Sequence, residues 1–208
     1  MAEKKFYVVW KGRKTGVFST WAQTAEQVSG YAGAQFMGFA SRAEAELALK
    51  LGYAAAVEHR TRPRDLSILP AASRPLPDSY CVDAACSGSP GPVEYRCVHT
   101  RTRDLIFHQG PFAEGTNNVG EFLGLVHALS YFFQNGIVQP VYTDSHNAML
   151  WVRQKKCKTR LIPTEKNRPL FDLIDRAEKW LNANQYTTRI LKWDTAAWGE
   201  IPADFGRK

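Results

Sequence analysis

The sequence predicts an α/β protein in two parts: a small leading unit and a larger one whose mixed sheet carries helices on its faces. Three observations lead there. Around residues 58–79, in EHRTRPRDLSILPAASRPLPDS, prolines mixed with Arg, Ser and Ala show neither helical nor strand periodicity, the mark of a linker. After it come three strand-like segments in succession, as in an antiparallel meander. Helical and strand patterns then alternate, and a meander followed by alternation implies a mixed sheet.

Taken in order, KFYVVWKGRKTGVFSTW reads as two short strands joined by a Gly-bounded basic turn. SRAEAELALKLG reads as a helix, with Ser41 as its cap, Glu44 at the capping-box position and Gly52 as its stop. A unit of about 50 residues has little core, so its aromatic and charged side chains point to an interaction surface. Past the linker, SYCVDAAC, EYRCVHT and DLIFHQG are the three strands, separated by Gly/Pro or charged turns. NNVGEFLGLVHALSYFFQNG has apolar residues at helical spacing and ends in Asn-Gly; the strand IVQPVYT and a second helix from near Ser145 follow. The basic, irregular RQKKCKTRLIPTEKNRP precedes the helix LFDLIDRAEKWLNAN, the strand TTRILKW and a short terminal helix around ADFGRK.

The chain has 208 residues, 44% of them apolar, enough for a sizeable core. Its net charge of +7 is spread, with +3 over residues 1–50, +1 over 51–79 and +3 over 80–208. A basic balance of this kind favours a polyanionic partner. Cys81, Cys86, Cys97 and Cys157 show no CxxC spacing and no histidine at zinc-ligand spacing, so reduced structural thiols are expected. No signal segment opens the chain, and no apolar run nears the roughly 20 residues of a membrane span. A cytoplasmic, unanchored protein without an organic cofactor is the expectation.

Four carboxylates stand where a lone acid is costly. Asp83 lies inside the apolar strand YCVDAAC, Glu121 on or beside the apolar stripe of the first long helix, Asp144 at the end of the fourth strand, and Asp204 at the start of the last helix. Singly, each reads as a helix cap, a strand-end charge or a buried salt bridge. Gathered, they would repel strongly unless cations sat among them, and oxygen-only ligands suit magnesium or manganese. Among these residues no Ser/His/Asp or Cys/His arrangement suggests a covalent nucleophile.

That pattern, with TNN five residues before Glu121 and YTDS around Asp144, resembles bacterial ribonuclease H of type 1 over the whole second unit. FYVVWKGRKTGVFSTW followed by GAQFMGF is similar to the small hybrid-binding, viroplasmin-like domain at the front of many such enzymes. The resemblance implies a hybrid-binding domain over residues 1–52, a linker over 53–78 and a catalytic domain over 79–208. It implies a ribonuclease H-like fold with a five-stranded sheet of order 3-2-1-4-5, which makes Asp83 and Asp144 neighbours. It also implies an endonuclease that cuts the RNA strand of RNA/DNA hybrids with two Mg2+ ions about 4 Å apart, Mn2+ substituting, and leaves 5′-phosphate and 3′-hydroxyl ends. In that reading Asp83 bridges both metals, and Glu121, Asp144 and Asp204 complete the coordination. The histidine that many relatives carry before the last acid is missing, since none occurs after His146. Glu200 stands four residues ahead of Asp204, where some bacterial relatives have a glutamate, and either assists metal exchange and product release or is a first-turn helix charge. Asp194 reads as a solvated loop acid.

For the substrate, the resemblance makes Asn117 a minor-groove contact and Thr116, Asn118, Thr159 and Arg160 a pocket for a phosphate of the DNA strand. Trp151 either packs on a deoxyribose or fills core. Cys86 and Ser89 replace the Ser and Asn that relatives often carry near the RNA strand. Lys155, Lys156 and Lys158 are phosphate contacts or a solvated face. In the leading unit, Lys11, Arg13 and Lys14 surround glycines that let a backbone approach closely. Tyr7, Trp21 and Phe36 match positions that meet the DNA strand, or else are core aromatics, while Met37 and Gly38 replace two lysines of the family. The partner implied is an RNA/DNA hybrid held by a monomer. A non-catalytic hybrid-binding protein with structural acids is the alternative, and integrases or resolvases of the same fold are a second one.

Overall fold

The computed structural model describes residues 6–61 and 64–206, and the chain divides into two compact units, residues 1–62 and 63–208. In the first, β1 (Phe6–Lys11) is the centre of an antiparallel sheet, flanked by β2 (Gly16–Phe18) and β3 (Gln35–Phe39). Helices α1 (Trp21–Val28), α2 (Arg42–Leu51) and α3 (Tyr53–Thr61) complete it. Its core is small: Val8, Val9, Val28, Met37, Ala45, Ala48 and Ala56 are buried. The Ser41 capping box forms as its sequence indicates, Glu44 N–H donating to Ser41 Oγ at 3.2 Å and Ser41 N–H to Glu44 Oε2 at 3.3 Å. Gly52, at φ +90°, ends α2 with its N–H on the Ala48 carbonyl.

The second unit is built on β4 (Tyr80–Cys86), β5 (Gly91–His99), β6 (Leu105–Gly115), β7 (Val141–Thr143) and β8 (Ile190–Lys192), with α4 (Asn117–Asn135), α5 (His146–Arg153), α6 (Arg168–Ala183) and α7 (Thr195–Trp198). The sheet order is β6-β5-β4-β7-β8, which is 3-2-1-4-5 counted within the unit. β4 pairs antiparallel with β5 and parallel with β7, so the meander and the crossover meet on it. α4 is apolar for most of its girth, Val119 to Val126 all being buried, because it is sandwiched in the main core. Gly136 in the left-handed region, φ +65°, closes it.

Two glycines one turn apart set how closely α4 lies on the sheet. A Cβ at Gly120 would stand 2.7 Å from Val93 Cγ2 and 2.8 Å from Ala84 Cβ, and one at Gly124 would stand 2.8 Å from Val82 Cγ1. Both positions face β4 and β5, and neither admits a larger residue without lifting the helix.

Several elements differ from the sequence expectation. Residues 53–61, read as the start of the linker, form α3, whose YAAAVEHRT is rich in helix-favouring alanine. α1 begins at Trp21, the last residue of the segment expected to be strand, and runs on through residues for which no element is expected; Thr20 caps it, accepting from Gln23 N–H at 3.3 Å. The fourth strand is only Val141–Thr143, since Pro140 has no N–H to give a ladder. The expected helix around Ala203–Lys208 is absent among the described residues 203–206; residues 207–208 lie outside them. Asp204 therefore does not begin a helix: its N–H closes a turn on Ile201 O at 2.8 Å. The carbonyls of Ala203 and Asp204 accept from the Arg96 guanidinium.

Nor is the second half of the expected linker a free tether. Trp198 Nε1–H donates to Ser73 O at 2.8 Å, Leu76 N–H to Tyr142 Oη at 3.1 Å, and Arg64 to Ala196 O. Residues 64–76 thus lie along the unit that contains α7, beside the ring cluster of Tyr142, Trp193 and Trp198, whose centroids are 5.0–5.7 Å apart.

The Gly120→Ala variant should lose stability. Overpacking costs about 1–3 kcal/mol and outweighs the roughly 1 kcal/mol of helix propensity that alanine adds. Urea titration of the full chain reads the change as a lowered midpoint at unchanged slope; an unchanged or raised midpoint would refute the close-approach argument.

Candidate active site

Sheet register assembles the first pair of acids. β4 and β7 are parallel, with Val82 opposite Thr143, so the next residues along, Asp83 and Asp144, emerge side by side. Asp83 is 2% exposed, inside a strand that has neighbours on both sides. Asp144 is half-buried, where the chain leaves β7; Ser145 then caps α5, accepting from Ala148 N–H at 3.1 Å. Glu121, 3% exposed, comes from the first turns of α4, and it reaches the sheet because Gly120 beside it lets the helix close in.

One carboxylate oxygen from each of Asp83, Glu121 and Asp144 lies within 4.8 Å of the others. Three negative charges at that spacing repel on the order of 4 kcal/mol per pair at an effective dielectric near 20. Asp83 Oδ2 and Glu121 Oε2 are buried oxygens that accept no hydrogen bond, although each side chain has other interactions. An all-oxygen, anionic, converging set of this kind fits a hard divalent cation, and magnesium and manganese match those donors. The structure thus brings together three of the four sequence-selected acids. Asp204 is not within that 4.8 Å set; it is half-buried in the turn after Ile201, with Oδ2 accepting from Gly206 N–H at 2.8 Å. Glu200 is half-buried just after Gly199, at φ +80°, following α7. Asp194 is exposed, as expected of a solvated acid, and also caps α7, accepting from Ala197 N–H at 3.0 Å.

Around the cluster, Asn117 is exposed and its amide donates to Glu121 Oε1 at 3.3 Å, so the TNN motif touches the acid site directly. Asn118 accepts from Asn147 Nδ2 at 3.3 Å, linking the first turns of α4 and α5; Asn147 is a residue that sequence spacing did not single out. Thr116 is the N-cap of α4, a helix end of the kind that attracts anions. Thr159 Oγ1 accepts from Leu161 N–H at 3.1 Å, and Arg160 beside it is exposed. Trp151 is 8% exposed and edge-on to Phe122, with centroids 6.1 Å apart, so it fills the core and does not present a face to a sugar. Lys155, Lys156 and Lys158 are all exposed, and Lys156 pairs with Glu178 Oε2 at 2.5 Å. The Cys86 thiol turns back onto the carbonyls of Gly88 and Gly115, and Ser89 is exposed in the turn between β4 and β5. All four cysteines are free. Burial pushes Cys81 and Cys157 up to about 12 and Cys97 well above the usual thiol range, so none is a thiolate nucleophile at neutral pH.

In the first unit, Tyr7, Trp21 and Phe36 form a contiguous surface: ring centroids are 5.6 Å apart for Tyr7–Trp21 and 5.7 Å for Trp21–Phe36. Trp21 is 49% and Phe36 37% exposed, so these rings are not core. Gly38, directly opposite Tyr7, has no side chain to cover it. Lys11 and Lys14 are exposed. Arg13 is otherwise employed: its Nη1 donates to Glu26 O at 2.9 Å and Ser29 O at 2.8 Å, tying down the end of α1. No described helix is long and apolar enough to cross a membrane.

Comparison with known proteins adds to this geometry. Residues 5–49 match a family described as the Ribonuclease H1 N-terminal domain. A Ribonuclease H from Neorickettsia sennetsu is 42% identical over 65 residues, 30% of this chain and 42% of that protein. Another from Crithidia fasciculata is 50% identical over 40 residues, 19% of this chain and 8% of that protein. The matched stretches therefore span less than half the length of either relative. The crystal structure of RNase H1 from Halobacterium salinarum is 22% identical, covers 57% of this chain and 86% of its own, and has a TM-score of 0.38. Residues 79–193, more than half of the chain, match the family described as RNase H, and they contain Asp83, Glu121 and Asp144; the chain belongs to the RNase H family.

Proposed function

We propose that this chain is an endonuclease that hydrolyses the RNA strand of RNA/DNA hybrids, leaving 5′-phosphate and 3′-hydroxyl ends. The observation that carries the proposal is the convergence of Asp83, Glu121 and Asp144 oxygens to within 4.8 Å in a family of this kind. Asp83, Glu121, Asp144 and Asp204 would hold two Mg2+ ions, with Mn2+ as substitute. Such a pair supplies an attacking water of lowered pKa and neutralises charge on the attacking and leaving oxygens.

The protein's own residues do the rest. Asp83, paired with Arg96 on β5 and one residue past the β7 ladder, is held steadily enough that it would serve as a ligand to the ions. Asn117 would orient Glu121 by the hydrogen bond that its Nδ2 donates to Oε1 and, being exposed, offer its other face to the minor groove, where a 2′-hydroxyl distinguishes RNA from DNA. Thr116 and Asn118 at the start of α4, with Thr159 and Arg160, would hold a phosphate of the DNA strand. Glu200 would assist ion exchange or product release. Residues 1–52 would bind the hybrid through the Tyr7, Trp21 and Phe36 surface with Lys11 and Lys14, stacking and phosphate contacts combined. Residues 79–208 would cut it, and holding one hybrid at two places raises its local concentration at the site.

The deciding assay follows one 5′-labelled RNA strand in hybrid with DNA, in duplex with RNA and alone, with magnesium or chelator. Hybrid-only, magnesium-dependent cuts are expected, reduced in Asp144→Asn by more than the ~100-fold typical of outer-shell changes. Retained hybrid binding with no cutting by the parent would instead establish a binding protein with structural acids.

A second expectation concerns the leading unit. In the Asp144→Asn background, Trp21→Ala with Phe36→Ala should weaken hybrid binding by about tenfold or more, one stacked base being worth roughly 1–3 kcal/mol. Fluorescence anisotropy reads it; unchanged affinity would remove this surface from the proposal.

A further inference from the structure

Arg96 lies in the middle of β5, where its Cα is paired with Asp83 on β4 and with His108 on β6. Residues directly opposite one another in antiparallel strands share a face, so Arg96 stands on the same side of the sheet as the buried Asp83. Its guanidinium does not face solvent alone. Nε donates to Ala203 O at 2.8 Å and Nη2 to Asp204 O, a fork on two successive carbonyls more than a hundred residues away. The same group lies over the Phe205 ring at 4.5 Å from its centroid. Phe205 in turn is 5.8 Å from the His108 ring, whose Nε2 is 2.7 Å from Glu94 Oε2.

The chain before this point is anchored differently. Ile201 and Ala203 are buried with Cys81, Val98, Tyr142 and Trp193, which holds the loop as far as residue 203. From Asp204 onward the hold passes to Arg96 and to the local bond from Gly206 N–H to Asp204 Oδ2. A planar fork suits two adjacent carbonyls, and a lysine ammonium does not reproduce it.

We infer that Arg96 is a positioning residue: by gripping the backbone of Ala203 and Asp204 from the position opposite Asp83, it fixes the main chain that carries the Asp204 carboxylate relative to the strand that carries Asp83. The inference rests on the reading of Asp204 as a metal ligand. It adds a residue of another kind, a cation that neither binds metal nor touches substrate, and it explains how an acid in a helix-free turn keeps a fixed place. The sequence gives no periodic or motif signal for it; only the β4–β5 register reveals the relation.

The test uses the full chain as Arg96→Met, Arg96→Lys and Asp204→Ala, with three readouts: hydrogen exchange of amides 201–206, Mn2+ binding by calorimetry without substrate, and hybrid cleavage. In Arg96→Met, exchange should quicken by about tenfold, as loss of a charge-assisted bond implies. Mn2+ affinity should fall about 10- to 100-fold, the range for groups that orient metal ligands. Cleavage should lose kcat with KM unchanged and recover in part at high magnesium. Arg96→Lys should fall between parent and Arg96→Met, and it decides the matter if the methionine variant does not unfold cooperatively. Parental Mn2+ affinity in Arg96→Met, whether or not exchange quickens, overturns the inference when Asp204→Ala is impaired. Parental Mn2+ affinity in Asp204→Ala overturns the reading of Asp204 itself.

Discussion

The close seating of α4 on β4 and β5 is the constraint on which the site depends. Glu121 sits between Gly120 and Phe122, and the helix approaches the sheet because Gly120 and Gly124 present no side chain to Val82, Ala84 and Val93. Move the helix outward by the width of a methyl group and two things fail together. The core opens along Phe122, Leu125 and Leu129, all fully buried, and Glu121 withdraws from Asp83. Packing and chemistry are therefore coupled through the same contact, so the apolar core is what forces the acids together against their own repulsion.

That repulsion is affordable only because the surroundings leave the acids little choice of position. Asp83 is held by its pairing with β5 and by the β7 ladder that ends one residue before it, Asp144 by the parallel pairing of β7 and the cap on α5, and Glu121 by the helix core and the Asn117 amide. A site organised this way is set before any cation would arrive, and a cation's binding energy would go into relieving repulsion rather than into folding a loop.

Much of this was legible in the sequence because it is local or topological. Alternation after a meander gives the mixed sheet, and acids at a strand interior, a helix start and a strand end are visible as costly placements. What escaped depended on distant partners. The terminal segment looked helical because nothing near it shows that Arg96, far upstream, occupies the carbonyls of Ala203 and Asp204. Arg13 reads as a phosphate contact because its partners, the carbonyls of Glu26 and Ser29 at the end of α1, are brought to it only by the fold. Trp151 was ambiguous between two faces of α5, and only its contact with Phe122 settles it inside. The prolines after residue 62 disguised a strap fixed by Trp198 and Tyr142 as a linker.

The five acids, Glu200 included, are consequently held by two different kinds of structure. Asp83, Glu121 and Asp144 belong to the sheet and its central helix, and losing any of their positions means opening the main core. Glu200 and Asp204 belong to a segment held by individual bonds: Trp193 Nε1–H to Gly199 O at 2.8 Å, Trp198 to Ser73, and Arg96 to Ala203 and Asp204. Local opening costs least where few contacts must break, so the second group can shift while the first stays fixed. Under the proposed function that division would let the sheet-borne acids define where ions sit, while the segment that Arg96 holds in place at rest would open for ion exchange without unfolding the sheet.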